Sequence, residues 1–326
     1  MLEGENYSVG TTPWLTVAMP IHNGAEYLET TLNSLVAEGC QGVEIIALDS
    51  SDSAECKNII ENFFDRLSIN YIHSTEIKSW TAKTNIAAES ARAAHICMLH
   101  QDDVWLPGRL RTARQAINSC PEASLYLSPA YIIDSKDCRL GLWRCPLEKK
   151  SIWRGDEVIG RLMVQNFIAI PSPIISKRIW HAVGGMDESL WYTADWDLYL
   201  KLLCGNIVYY DSTPVTSFRI HPKSLTIKGS HDEKDFRRQM EMVVERYIDI
   251  LPKSIRDRTI RLSGISIAVN TVLANFFQGR KYNLSVFLKF LLLNPKEIFL
   301  YLYYSRIIER IIPRLMAKIY GRFESV

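Results

Sequence analysis

The first hundred residues alternate unbroken apolar runs with stretches of helical period. "WLTVAMP" has strand length and no charge, and Pro20-Ile21-His22-Asn23-Gly24 reads as the loop after it. In "AEYLETTLNSLVAEG" the apolar positions Tyr27, Leu28, Leu32, Leu35 and Val36 share one helical face, and the pattern closes on Gly39. "VEIIALD" predicts a second strand, "AECKNIIENFFDRL" a second helix, "INYIHS" a third strand, "WTAKTNIAAESARAA" a third helix and "HICMLHQ" a fourth strand. This alternation predicts an α/β fold with a mostly parallel, Rossmann-like central sheet and helices on both faces. Ligands of such sheets sit beyond the carboxyl ends of the strands.

Further on the pattern loosens. "ASLYLSPAYIID" is strand-like, and a loop with Trp143, Arg144, Cys145 and Pro146 follows. "QNFIAIPSPIISKRIWHAVGG" resumes apolar strand content. "MDESLWYTADWDLYLKLLCG" predicts a helix from about Trp196 with Asp195 at its N-terminus, where backbone N–H groups favour a negative charge. One or two strands follow in "NIVYYDSTPVTSFRIHPKSLT", then a charged helix over 236–262 and a mostly helical 263–322. The expected divisions are an extension (1–13), a nucleotide-binding half (14–120), an acceptor-binding and catalytic half (121–230) and a helical C-terminal region (231–326).

Composition adds limits. The 326 residues are 47% hydrophobic and 23% charged, enough for a sizeable core, and a net charge of +2 gives no footing for a nucleic-acid partner. That charge is uneven: from Lys281 onward eight Lys/Arg face three Glu. There they interleave with Leu, Ile, Phe and Tyr, as in an amphipathic segment lying on an anionic membrane surface. Packing on the core or on another subunit is the competing reading. Seven scattered cysteines without a CxxC pair argue against a zinc knuckle or disulfide framework and for free thiols in a reducing compartment. The N-terminus shows no apolar signal-peptide core, and no stretch of 18 apolar residues runs without a charge. The expected location is therefore cytoplasmic, on the inner face of the cell membrane. No GxGxxG or GxxxxGK[ST] follows the first strand, which disfavours dinucleotide and P-loop sites.

Three polar clusters fall at strand ends: Pro20–Asn23, Asp49–Asp52 and His100–Asp103. Singly, each aspartate reads as a turn or cap. Together they converge on one crevice. The adjacent Asp102 and Asp103 repel each other unless a cation offsets one of them.

With these clusters placed, the chain resembles glycosyltransferase family 2, of the GT-A fold. The matching stretches are "LTVAMPIHNGAEYLETTLNSL", "VEIIALDSSDS", "AKTNIAAESARAAHICMLHQDDVWLPGRL", "VGGMDESLWYTADWDLYLKL" and "FRIHPKSLT", in family order across residues 14–226. The resemblance implies transfer from a UDP- or dTDP-sugar. Pro20, His22 and Asn23 then line the nucleotide with Gln101, and Asp49 receives the base. Asp102 takes the last position of the Asp-x-Asp metal motif and Asp103 the carboxylate after it, available to ribose or to cap a turn. Asp195 stands at the aspartate of the catalytic Glu-Asp pair, and His221 near diphosphate and metal. Two positions depart from the pattern: His100 replaces the first metal-motif aspartate, and Ala194 replaces the glutamate.

The chemistry needs the leaving diphosphate neutralised, the acceptor oxygen in line with C1 and its proton removed. Mn²⁺ or Mg²⁺ serves the first need with one or two protein carboxylates. Asp102 suffices, with His100 as an added Mn²⁺ ligand or a satisfied buried histidine, and His221 nearby. Lys83 is placed to approach the phosphates or to lie on a solvated helix face. Asp195 is the candidate general base; with no second carboxylate as nucleophile, inversion at C1 follows. Trp191 and Tyr192 are candidates to stack on the acceptor, with core packing as the alternative. The expected acceptor is a hydroxyl of a glycan or lipid-linked glycan, for a hexose-type sugar in cell-surface polysaccharide synthesis. The rival readings are an inactive sugar-nucleotide-binding or scaffold protein and a sugar-phosphate nucleotidyltransferase.

Overall fold

A computed structural model describes residues 12–147, 151–224, 232–281 and 286–319. The expected extension lies almost wholly outside these residues, as do 282–285 and the last seven residues.

Eight strands form the large sheet. They are β1 (Leu15–Ile21), β2 (Val43–Asp49), β3 (Ile69–His73), β4 (His95–Met98), β6 (Leu125–Leu127), β9 (Ile152–Arg154), β10 (Ile174–Ser176) and β11 (Ile207–Tyr210), in the order β3-β2-β1-β4-β10-β6-β11-β9. The first four run parallel. β10 is antiparallel to both neighbours and β9 to β11, so the sheet is mixed beyond β4. All seven residues of β1 are buried, which is why its sequence is a continuous apolar run. Alternate residues serve opposite faces. Leu15, Val17, Met19 and Ile21 pack with Leu28, Leu32 and Leu35 of α1 (Ala25–Ala37) and with Leu110 and Ala113 of α4 (Arg109–Ser119). Ala18, Ile46, Leu48, Ile96 and Met98 pack on the other face with α3 (Trp80–Ser90), α5 (Gly155–Val164) and α7 (Ala194–Leu203).

A second sheet, β5-β12-β7-β8, is built from β5 (Val104–Trp105), β7 (Ala130–Ile133), β8 (Arg139–Trp143) and β12 (Thr216–Arg219). The strand-like "ASLYLSPAYIID" is two strands in different sheets, parted at Ser128–Pro129. β5 leaves the Asp102–Asp103 turn and pairs antiparallel with β12, so the expected halves interlock. Other expectations shift. β1 continues through Pro20 to Ile21, α2 (Glu55–Glu61) stops half-way through its predicted span, and "QNFIAIPSPIIS" is strand only over Ile174–Ser176.

The charged helix expected over 236–262 is two helices, α8 (Glu233–Tyr247) and α9 (Lys253–Phe277), parted before Pro252. Among the described residues α9 is the one helix long and apolar enough to cross a membrane, by length and composition, and half of that stretch is buried in the protein. Its polar side chains explain the packing: Ser263 Oγ donates to Met163 O at 2.9 Å, Ser266 Oγ and Asn270 Nδ2 to Gln165 Oε1, and Asn275 Nδ2 to Glu233 Oε2. The chain ends in α10 (Val286–Phe290), α11 (Pro295–Ser305) and α12 (Ile307–Ile319). α12 lies across β8, where a Cβ on Gly141 would stand 2.8 Å from Pro313 Cγ; glycine is what permits this approach.

Candidate active site

Three strand-end loops are stitched together. The Gln101 side chain bridges to the first loop, accepting from His22 N at 2.7 Å and donating to His22 O at 3.1 Å. It lies over Gly24, where a Cβ would come within 2.1 Å of Gln101 Cδ. Asn23, held at a φ of 51°, donates through Nδ2 to Asp52 Oδ2 at 2.8 Å and accepts from Asp52 N at 3.0 Å. His22 Nδ1 lies 3.0 Å from Ser50 O. Pro20 is buried inside β1 rather than in the loop. Asp49 ends β2 and is 1% exposed. Its Oδ1 accepts from Ser51 N at 2.7 Å and its Oδ2 from the Tyr71 hydroxyl at 2.8 Å, so a base reaches it only through the remaining lone pairs. Lys83 is buried on α3, its Nζ donating to Ile21 O and Ser50 Oγ, which ties β1 to the second loop. Burial pushes its ammonium down to about 8, against the opposing pull of Asp49.

The Asp102–Asp103 pair divides by direction. Asp102 Oδ2 meets His221 Nε2 at 2.8 Å. Burial raises this carboxyl, but the His221 contact and the His100 charge outweigh it and hold it below the ordinary value. Asp103 turns inward and is 1% exposed, its Oδ1 accepting from Arg219 N at 2.9 Å. Burial and then the Asp102 charge push its carboxyl well above the ordinary range. In this arrangement Asp103 anchors the turn. Arg219 threads the turn, its guanidinium donating to Asp102 O, Asp134 O and Asp137 Oδ1 and lying 4.7 Å from the centre of the Tyr27 ring.

Among the described residues no group of three or more His, Cys, Asp or Glu side chains gathers as a metal cluster. The donors present are the Asp102 carboxylate and two imidazoles whose His100 Nε2 and His221 Nδ1 are buried without a hydrogen-bond partner. One carboxylate with borderline nitrogens is a donor set that would suit Mn²⁺, with Asp102, His100 and His221 the residues to hold it.

Across the crevice, α7 begins at Ala194, so Asp195 lies in its first turn rather than before it. Asp195 Oδ1 accepts from Trp196 N at 2.8 Å and Oδ2 from Asn166 Nδ2 at 2.9 Å. Burial nevertheless lifts the carboxyl to about 6 against these two donors. Ala194, where the family pattern has glutamate, is fully buried in the core. Trp191 and Tyr192 are half-buried and pack on Phe236 of α8; Trp191 Nε1 donates to Asp235 Oδ2. Trp80 joins the two sides. Its ring meets His100 edge-on at 5.3 Å between centroids, and its Nε1 donates to Trp191 O at 2.8 Å.

With that geometry in place, residues 16–170 match the family model described as Glycosyl transferase family 2. Over that span the chain is similar to family 2 glycosyltransferases. An uncharacterized glycosyltransferase of Rickettsia prowazekii (strain Madrid E) is 22% identical over 272 residues, 83% of this chain and 82% of that protein. Among solved structures, S. aureus TarS 1–349 in complex with UDP-GlcNAc has a TM-score of 0.66 at 15% identity, covering 95% of this chain and 92% of that one. The mannosyltransferase PcManGT from Pyrobaculum calidifontis, in complex with GDP-Man and Mn²⁺, has a TM-score of 0.57 at 12% identity, covering 95% and 88%. At these identities the structural likeness establishes the GT-A fold.

Three residues that hold this candidate site were missed in the sequence. Arg219 carried a signal, standing two residues before His221 at the end of an apolar strand. Trp80 and Asn166 carried none, since their partners lie 111 and 29 residues away. Asp197 is also more than the helix cap it resembles. It is fully buried, in ion-pair contact with Lys201 at 2.9 Å and Arg246 at 3.0 Å, and accepts from the Tyr247 hydroxyl. Removing one partner of a buried ion pair costs about 3–5 kcal/mol. Asp197→Asn should therefore lower unfolding stability on that scale, measured by urea denaturation, while nucleotide affinity of the folded fraction stays at wild type.

Proposed function

We propose that this chain transfers a hexose-type sugar from a nucleotide diphosphate, UDP- or dTDP-linked, to an acceptor hydroxyl with inversion at C1. The observation that supports the reading is the Trp80 bridge, whose ring meets His100, two residues before Asp102, and whose Nε1 donates to Trp191 O, four residues before Asp195. Pro20, His22, Asn23, Gln101 and Asp49 border the nucleotide, and Lys83 fixes their loops. Asp102 and His221, with His100, would hold Mn²⁺ or Mg²⁺, which supplies Lewis-acid neutralisation of the leaving diphosphate. Asp195 takes the proton of the attacking hydroxyl, its carboxyl tuned close to neutral pH so that it is ionised yet basic. Trp191 and Tyr192 flank the acceptor. The test is a panel of nucleotide sugars assayed for hydrolysis and transfer, with and without Mn²⁺; no turnover and no nucleotide binding across the panel refutes the reading.

The same proposal places the enzyme on the inner face of the membrane, acting on a glycan or lipid-linked glycan in surface polysaccharide synthesis. Large exposed apolar side chains collect on the C-terminal helices: Leu291 is 80% exposed and Leu292 82%, with Phe299, Ile308, Ile312 and Ile319 also outward. Lys289 and Lys296 flank them, a composition suited to an anionic bilayer surface. Wild-type protein should co-sediment with phosphatidylglycerol-containing liposomes and not with neutral ones. Leu291→Glu with Leu292→Glu should leave it in the supernatant.

A further inference from the structure

α12 carries two arginines one turn apart, the buried Arg310 and the half-buried Arg314. Arg310 is 9% exposed. Its guanidinium carbon lies 5.5 Å from the centre of the Trp143 ring, and its Nε and Nη1 are buried without a hydrogen-bond partner. Arg314 spends one Nη1 hydrogen on Arg310 O at 2.8 Å. The neighbouring carboxylate, Glu309, is engaged by Arg144 and Arg306, each at 3.4 Å. Among the described residues neither Arg310 nor Arg314 forms an ion pair. More donors stand unanswered on the adjoining turn, where the Tyr301 hydroxyl and Ser305 Oγ are buried without partners.

Buried charges are strongly unfavourable unless paired, and a half-satisfied polar cluster is worse than an apolar one. Such a cluster persists where a ligand completes it. The guanidiniums are cationic and only donate, while the two hydroxyls can donate as well, so an anion is the one partner that answers all of them. It must also be more than one carboxylate, since two guanidiniums stand together. A phosphate group carries close to two charges and three acceptor oxygens, and matches the planar forks of two arginines.

The location fixes its use. Arg310 packs on Trp143 of β8, whose ring meets Phe218 of β12 edge-on at 5.5 Å, on the strand that leads to Arg219 and His221; burial raises the Tyr192 phenol against the pull of Arg310 and Arg314. The donor side, at Asp102 and His221, is built by β4 and β12, whereas these arginines enter over β8 from the C-terminal helix. We propose that Arg310 and Arg314, with Tyr192 and Tyr301, form an anion subsite that grips a phosphate group of the acceptor while Asp195 addresses its hydroxyl. This deepens the transfer reading above and rests on its assignment of Asp195.

The test is calorimetric titration of glycerol 1-phosphate, with glycerol as the uncharged comparison, against protein alone and protein saturated with UDP and Mn²⁺. Thermal melting of the same samples runs alongside. Expected is binding of the phosphate and not of glycerol, weakened at least tenfold in Arg310→Leu and unchanged in Lys318→Gln on the exposed side of α12. The ligand-free Arg310→Leu protein should melt higher than wild type, because a buried unpaired charge has gone. Arg310→Gln, closer in shape, gives the same affinity comparison if the leucine variant does not fold. Unchanged phosphate affinity in the arginine variants, or none in wild type, overturns the subsite. A second arm uses a short prenyl phosphate in neutral detergent micelles. Preference for it assigns a lipid-borne phosphate and preference for the soluble ester a water-soluble one, both supporting the subsite; binding of neither overturns it. Phosphate binding in a protein that binds no nucleotide overturns the transfer reading and leaves the subsite standing.

Discussion

Asp195→Asn should lower kcat by ~10²–10⁴-fold, the usual contribution of a positioned base, with the donor-nucleotide Kd near wild type. Asparagine keeps one acceptor oxygen, toward Trp196 N or Asn166 Nδ2, and has no basic site for the acceptor proton. A loss of this form, in kcat and not in ground-state binding, marks an interaction made in the transition state. The wild-type rate should climb with pH through about 6, where the carboxyl ionises, and then level off. The variant's residual rate should lack that inflection. Stability moves the other way. Because the folded-state pKa lies above the ordinary 3.8, the protonated form is favoured by folding. The stabilisation is complete in acid and is lost as pH rises through about 6. At pH 8 the uncharged Asp195→Asn protein should melt at or above the wild-type temperature. Near-normal kcat in this variant moves the base elsewhere.

Asp102→Asn should cost ~10²–10³-fold in turnover, the scale of losing one group that stabilises transition-state charge. Asparagine retains an oxygen toward His221 but gives up the one carboxylate that faces the crevice from this loop. The decisive companion measurement is Mn²⁺ affinity by water-proton relaxation, which should weaken in Asp102→Asn and, more mildly, in His221→Ala. Excess chelator should reduce wild type to the level of the variant. Full activity in chelator, or Mn²⁺ binding unaltered in Asp102→Asn, removes the metal from the proposal. Asp103→Asn is expected to act differently, since its carboxyl is buried against Arg219 N and its proton is already favoured by burial. Its effect should fall on stability before Mn²⁺ affinity.

The central strands β1 and β2 were legible because they are buried on both faces, and burial on both faces requires a continuous apolar run of strand length. The small sheet was not. β5 is two residues long and β7 four, too short for a period, and Ser128–Pro129 diverts one apolar run between two sheets. The same distinction holds at the site. Residues at strand ends, such as Asp49 and Asp102, and at a helix start, such as Asp195, announce themselves by position. Residues that act through distant partners do not. Asp197 looks like a surface cap until Arg246, 49 residues onward, is seen beside it. Arg310 looks like one more charge of a basic amphipathic helix until α12 is seen lying inward on β8. Along the chain, the C-terminal basic residues all belong to one surface; in three dimensions Lys289, Lys296 and Lys318 stay outward while Arg310 is buried.

The close approach of Pro313 to Gly141 has a consequence for chimeras. α12 is seated on the sheet that also contains β12, so on the proposed function the C-terminal helices back the strand that leads to Arg219 and His221. Exchanging the segment from 233 to 319 with that of a relative should transplant acceptor preference and membrane attachment together, while donor choice stays with residues 15–103. Such an exchange should succeed only where the recipient keeps a glycine at position 141; a side chain there lifts the helix off, and both properties are lost at once.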